Sequence, residues 1–189
     1  MDICEFTSPS IGRKNYLLVM IDEYSKFMVV FSIVNKSDAT QEIIGFVTRA
    51  ESCFELRIAT PHSDIEFKSN APKEFCVIRG IRQEFTTAET PLQNGRVERA
   101  NRTLAEGIWA MLLNSGMADG YWGEAAKTFT YVSNLTPRRK LKYLTPWEVF
   151  TKKTKPAFPK FYFGEKVLFW LDGKKRKGKL DMPCGKRPY

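Results

Sequence analysis

Tyr16-Leu17-Leu18-Val19-Met20-Ile21-Asp22-Glu23-Tyr24-Ser25-Lys26-Phe27-Met28-Val29-Val30-Phe31-Ser32-Ile33-Val34 holds two apolar runs separated by a short polar break. Both runs are rich in β-branched and aromatic residues, which suit a half-buried pleated surface. They read as strands over 16–21 and 27–34. The break Asp22–Ser25 is too short for a crossover helix, so the two strands pair antiparallel. This pair anchors the fold, and the neighbouring elements are placed around it.

Downstream, Ser37 or Asp38 can cap a helix running to about Cys53, with Ile43, Ile44, Phe46, Val47 and Phe54 at helical spacing. Leu56–Thr60 reads as a strand ended by Pro61. Ala71-Pro72 opens a helix that stops at Gly80, and Ile81–Thr87 alternates as a strand. From about Asn94 to Asn114 a long helix places Val97, Leu104, Ile108, Met111 and Leu112 along one stripe. Asp119 caps a further helix over 121–135, and Thr145-Pro146 starts a short one. Phe161–Leu171 reads as a strand in a small appendage. The order strand, strand, helix, strand, helix, strand, then helices gives an α/β chain with a mixed sheet. Residues 1–151 form the main domain. Residues 152–189 form a basic linker and partial β appendage, with the Lys- and Pro-rich stretch 152–159 as the linker.

With 189 residues, 43% of them hydrophobic, the chain can bury a core without staples. No apolar run approaches the roughly 20 residues of a membrane span. The four cysteines are scattered and form no C-x-x-C pair, and His62 is the single histidine. Reduced thiols are expected, and a His/Cys zinc site is excluded. A metal centre would have to be built from carboxylates, which suit hard cations.

Charge is divided unevenly. Residues 1–100 carry 12 Lys/Arg and 14 Asp/Glu, whereas 101–189 carry 18 and 7, so the net of +9 lies entirely in the second half. Basic clusters occur at Arg138-Arg139-Lys140 with Lys142, at Lys152-Lys153 with Lys155, and at Lys174-Lys175-Arg176-Lys177 with Lys179. Such asymmetry favours a polyanionic partner, nucleic acid first, over a merely solvated tail.

Three carboxylates sit where an α/β fold places a site, at strand ends and helix starts. Asp2 precedes the strand pair, Asp64 follows the strand at 56–60, and Glu98 falls in the first turn of the long helix. Each also has a structural reading. Asp2 can be a solvated terminal residue and Asp64 a turn former. Glu98 can pair with Arg102 or complement the helix dipole.

The block Thr90-Pro91-Leu92-Gln93-Asn94-Gly95-Arg96-Val97-Glu98-Arg99-Ala100-Asn101-Arg102-Thr103-Leu104 resembles the third-carboxylate motif of integrases in copia-type (Ty1/copia) LTR retrotransposon polyproteins. Asp2-Ile3-Cys4 resembles that family's first catalytic segment, and Tyr16–Lys26 its second strand and turn. Tyr121-Trp122-Gly123-Glu124-Ala125 and Asn134-Leu135-Thr136-Pro137 resemble its later helix. Phe163-Gly164 and Lys177–Asp181 resemble its C-terminal flank. The likeness runs through nearly the whole chain in order, with Asn-Gly-x-x-Glu-Arg-x-Asn-Arg as its most specific element.

The resemblance implies an RNase H-like fold: a mixed five-stranded sheet flanked by helices, with the first strand N-terminally truncated and a small basic C-terminal extension. It implies the catalytic core of a retroviral-integrase-like enzyme within a Gag-Pol-type polyprotein. That enzyme is a DDE-type polynucleotidyl transferase that processes the 3′ ends of element cDNA and joins them to target DNA. Asp2, Asp64 and Glu98 would be both the catalytic and the metal-binding residues, with Mg2+ (or Mn2+) as cofactor. Expected nucleic-acid contacts are Arg96, Arg99, Arg102, Lys127, Lys174, Lys175, Arg176 and Lys177, with Arg99 and Arg102 able instead to balance Glu98 and Glu106. DNA, a homo-oligomer and a nuclear location are implied, with no membrane and no small-molecule substrate. Three departures stand out: the first strand is expected to be truncated, Asp64 is followed by Ile65-Glu66-Phe67 where the family has an Asn-Gly-Gly-Glu-like turn, and the family's His/Cys zinc module is absent. The first two motivate an alternative, an inactive or domesticated nucleic-acid-binding remnant, and beyond it stands an interaction module using the fold as a scaffold. Trp109, Trp122 and Trp147 read as core or helix-packing residues rather than base-stacking platforms.

Overall fold

A computed structural model describes residues 1–54, 62–63, 84–85, 91–158, 162–170 and 184–188, with the side chains of 62–63, 84–85, 91–98, 167–170 and 184–188 excepted. Strands β1 (Asp2–Glu5), β2 (Tyr16–Ile21) and β3 (Met28–Ile33) form an antiparallel sheet in that order. In register, Asp2 faces Val19, and Val19 faces Val30. The expected strand pair is therefore present, and β1 adds a third strand on its other side. The turn between β2 and β3 is tied by Asp22. Its Oδ2 accepts from the Ser25 N–H at 2.7 Å and the Ser25 hydroxyl at 2.6 Å, and Lys26 takes a left-handed φ of 61°. An Asp at the start of a tight turn does this readily because its side chain stands in for a backbone acceptor.

Both faces of the sheet are covered, and the period-2 alternation of the strands decides which residues go where. On one face Leu17, Val19, Met28 and Val30 pack with Leu104, Ile108 and Leu112 of helix α2 (Pro91–Ser115) and Trp122, Ala125 and Ala126 of helix α3 (Trp122–Leu135). On the other, Leu18, Met20 and Ile33 meet Ala39, Ile43 and Phe46 of helix α1 (Ala39–Phe54). A helix–sheet–helix sandwich results, an α/β layout as expected. A 3-10 turn over Lys36–Asp38 leads into α1, and the Asp38 carboxylate accepts from the Asn35 N–H at 3.0 Å.

Helices α2 and α3 form a hairpin joined by residues 116–121. Gly107 permits their contact, since a Cβ there would lie 2.1 Å from the Phe129 ring. Trp122 stacks on Phe6 at 4.1 Å and donates from Nε1 to the Ser8 carbonyl. The short helix α4 (Pro146–Thr151) is held by stacking of Phe27 on Phe150 at 4.4 Å and by Trp147 set edge-on to Phe27 and Phe54. Beyond it Phe163 joins the α2/α3 core, and Gly164, at φ 79°, brings its backbone against Ser115. Two small ladders complete the description: β4 (His62–Ser63) parallel to β5 (Glu84–Phe85), and β6 (Lys166–Trp170) antiparallel to β7 (Cys184–Pro188). No helix among the described residues is long and apolar enough to cross a membrane.

Three expectations need correction. The long helix begins at Pro91, not near Asn94, so Glu98 is its eighth residue and lies beyond the first turn. Pro91 at the first helical position sets the start, and the helix runs on through Asn94-Gly95. Of the two readings for Trp109, core or helix packing, the core one fails, since it is 43% exposed, unlike Trp122 at 1%. The helix over 121–135 is not capped by the Asp119 side chain; a 3-10 turn over Asp119–Tyr121 precedes it. The strand expected at 56–60 and the helix at 71–80 lie outside the described residues.

Candidate active site

Asp2 opens β1 and sits half-buried on the sheet face that carries Val19 and Val30. Both of its carboxylate oxygens are oriented. Oδ1 accepts from the Ile3 N–H at 2.8 Å, and Oδ2 accepts from the Asn101 Nδ2 of α2. The start of the first strand and the middle of the long helix, 99 residues apart in sequence, thus meet through one side-chain pair. Glu98 precedes Asn101 by three residues on the same helix. Positions i and i+3 share a helix face, about 4.5 Å apart along the axis. Position 98 is therefore the next turn toward the N-terminus on the side where α2 meets Asp2.

Asn101 itself was missed as a site residue. The signal was in the helical pattern: Val97, Asn101, Leu104 and Ile108 follow one stripe, and an amide in an otherwise apolar stripe needs a partner. Half of that need is met by Asp2. The Asn101 Oδ1 is buried and has no hydrogen-bond partner among the described residues. The amide turns its N–H to the Asp2 carboxylate and leaves one hard oxygen acceptor unpaired.

Cys4 lies two residues along β1 and packs against the α2/α3 core. Burial, and secondarily the Asp2 charge, pushes its thiol up to about 11, so it is a small core residue and not a nucleophile.

Of the other expected residues, Asp64 lies outside the described residues, directly after β4. Glu98 and Arg96 have described backbone but no described side chain. Arg99, Arg102 and Lys127 are exposed on α2 and α3. Lys174, Lys175, Arg176 and Lys177 lie outside the described residues. Among the described residues no three His, Cys, Asp or Glu side chains group as metal ligands; of the expected trio that description takes in Asp2 alone. Of the expected ligands the described side chains include Asp2, a hard carboxylate of the kind a magnesium-type cation takes.

A retrovirus-related Pol polyprotein from transposon TNT 1-94 of Nicotiana tabacum is 30% identical over 189 residues, covering 97% of this chain. The chain is homologous to copia-type retrovirus-related Pol polyproteins. Two further Pol polyproteins, from transposons RE1 and RE2 of Arabidopsis thaliana, are 26% and 24% identical over 88% and 74% of the chain. The chain spans 14%, 12% and 10% of the lengths of these three Pol relatives. No family model matches.

Proposed function

We propose that this Pol-derived domain is the catalytic core of a retrotransposon integrase, with an RNase H-like, five-stranded sheet completed beyond β1–β3. It processes the 3′ ends of element cDNA and joins them to target DNA. The observation that carries this reading is the Asp2–Asn101 pair, which brings the start of β1 to the helix that bears Glu98.

In this proposal Asp2, Asp64 and Glu98 hold divalent cations, magnesium or manganese, through hard carboxylate oxygens. Bound cations would lower the pKa of an attacking water or 3′-hydroxyl and offset charge on the departing oxygen. The chain's own residues do the rest. Asn101 and the Ile3 N–H fix the Asp2 carboxylate in one orientation before substrate arrives, which avoids reorganisation during reaction. The exposed Arg99, Arg102 and Lys127, together with Arg96 and the Lys174–Lys177 cluster, bind DNA phosphates and set register rather than sequence. The enzyme works as a homo-oligomer in the nucleus, where its DNA partners are.

The test is strand transfer by the purified chain, in magnesium, with a DNA mimic of the element's terminus. Asp64→Asn and Glu98→Gln are each expected to abolish joining while keeping the fold. Full activity in both variants would reject the assigned residues. Salt-sensitive DNA binding without metal-dependent cleavage would instead mark a non-catalytic remnant.

A further inference from the structure

The basic cluster around Arg138 is not used by the site above, and its geometry is specific. Residues 138–144 form a closed loop between α3 and α4. The Arg138 N–H donates to the Leu144 carbonyl at 3.0 Å, and the Arg138 carbonyl accepts from the N–H groups of Leu141 at 2.9 Å and Tyr143 at 3.1 Å. Arg138 Nη2 donates to the Ser133 hydroxyl at 2.9 Å, which ties the loop to the last turn of α3. Lys142 and Tyr143 are both in the left-handed region, at φ 54° and 65°. Two successive non-glycine residues seldom take that conformation, and the loop's internal hydrogen bonds hold it.

What the loop displays is charge and an aromatic ring. Arg139, Lys140 and Lys142 are exposed, and Tyr143 is 73% exposed. Acid is scarce in the flanking sequence. Between residues 125 and 164 the sequence has nine Lys/Arg and one acidic residue, Glu148. That carboxylate is committed to capping α4 through Thr145. Lys153 is likewise committed, donating to the Cys53 carbonyl at the end of α1. Among the described residues, Arg139, Lys140 and Lys142 are exposed and paired with no carboxylate.

The loop also stands at a telling place. Gly107 and Phe129 mark the crossing of α2 and α3. Asn101 lies six residues before Gly107, and Leu135 six residues after Phe129. At a rise of about 1.5 Å per residue, both lie about 9 Å from the crossing, and in the antiparallel hairpin they lie toward the same end. The loop thus follows α3 at the end of the helix pair where Asp2 and Asn101 meet.

We propose that the loop 139–143 is a nucleic-acid contact: Arg139, Lys140 and Lys142 hold the phosphates of a DNA end, and the Tyr143 ring stacks on an unpaired base at that end. This rests on the integrase reading for the identity of the DNA, but not on catalysis. Cations alone would fit any polyanion. A large exposed ring among them, held on a rigid loop, fits nucleotides, because every base offers a flat face to stack on.

Binding is read by fluorescence anisotropy with labelled duplexes, one blunt and one with a single-stranded 3′ end. The measurement uses the full chain carrying Glu98→Gln, in EDTA, so that failure of the strand-transfer reading leaves it unaffected. The triple variant R139A/K140A/K142A is expected to reduce the slope of log affinity against log salt by about 2–3, at about 0.9 per phosphate contact. Tyr143→Ala is expected to weaken binding to the frayed duplex by about 5- to 150-fold and to the blunt one by much less, with Tyr143→Phe unchanged. Acylation of Lys140 and Lys142 should be suppressed by DNA while that of Lys36, on the α1 side of the sheet, is not. An unchanged salt slope in the triple variant, or equal effects of Tyr143→Ala on both duplexes, overturns the proposal. So does competition by polyglutamate as effective as by DNA, which would point to an acidic protein partner.

Discussion

The side-chain amide of Asn134 is paired on both sides with the backbone of Met28. Asn134 Oδ1 accepts from the Met28 N–H at 2.9 Å, and Nδ2 donates to the Met28 carbonyl at 2.7 Å. Met28 begins β3, an edge strand of the described sheet, whose outward N–H and C=O groups would otherwise be unpaired. Asn134 is 5% exposed and imitates the missing neighbour strand at one residue. It also locks the end of α3, and hence the loop that follows, to the sheet.

Removing that clamp leaves two buried backbone groups unsatisfied. Asn134→Leu is expected to destabilise the domain by about 2–4 kcal/mol, since each orphaned buried group costs about 1–3 kcal/mol. Asn134→Asp keeps the acceptor but sets an anion against the Met28 carbonyl, and should be no milder. Urea unfolding of both variants measures this; a change below about 0.5 kcal/mol in both would contradict the role.

Gly107 separates two opposite expectations. In an open helix Gly→Ala gains about 1 kcal/mol. Here the new Cβ would lie 2.1 Å from the Phe129 ring, so overpacking should dominate and cost about 1–3 kcal/mol. The double variant G107A/F129L should recover part of the loss. Thermal unfolding of the two variants reads the sign directly.

The capping box at α4 gives a pH-dependent expectation. Glu148 accepts from both the Thr145 hydroxyl and the Thr145 N–H, and these bonds hold its carboxyl below the ordinary 4.5. A lowered folded-state pKa adds stability that is complete above the unfolded value and is lost as pH falls through the folded value. The stability advantage of the wild type over Glu148→Gln should therefore be flat at neutral pH, begin to fall near pH 4.5 and vanish below the lowered folded value. Thr145→Ala, which removes a cap that is 1% exposed, should cost about 1 kcal/mol at pH 7. Equilibrium unfolding across pH checks both.

Asn101 is expected to act through Asp2. Asn101→Leu should lower strand transfer by about 10- to 100-fold and raise the magnesium concentration needed for half activity, as loss of an outer hydrogen-bond partner does at metal sites. A purely structural role would lower stability without moving the magnesium midpoint.

Much of the chain was legible where one force dominates. The strands at 16–21 and 28–33 and the helices ending at Phe54, Ser115 and Leu135 show in hydrophobic period alone. Legibility failed where tertiary contacts decide. The long helix is expected from about Asn94, because Asn and Gly are poor helix formers, yet it begins at Pro91 and carries through both. For Trp109 residue type left core and helix packing both open, and the core stripe runs through Leu104, Ile108 and Leu112 instead. The Asn134–Met28 and Asn101–Asp2 pairs span 106 and 99 residues and leave no local trace beyond an amide in an apolar setting. For the site, the resemblance supplied the three carboxylates. The fold adds that the first is held by the helix that bears the third.

The most direct measurement of the central claim is an anomalous difference map from crystals of the chain grown in manganese. The account predicts strong peaks bounded by the carboxylates of Asp2, Asp64 and Glu98, lost in Asp64→Asn. Ordered carboxylates that point apart, with no peak among them at saturating manganese, would contradict it.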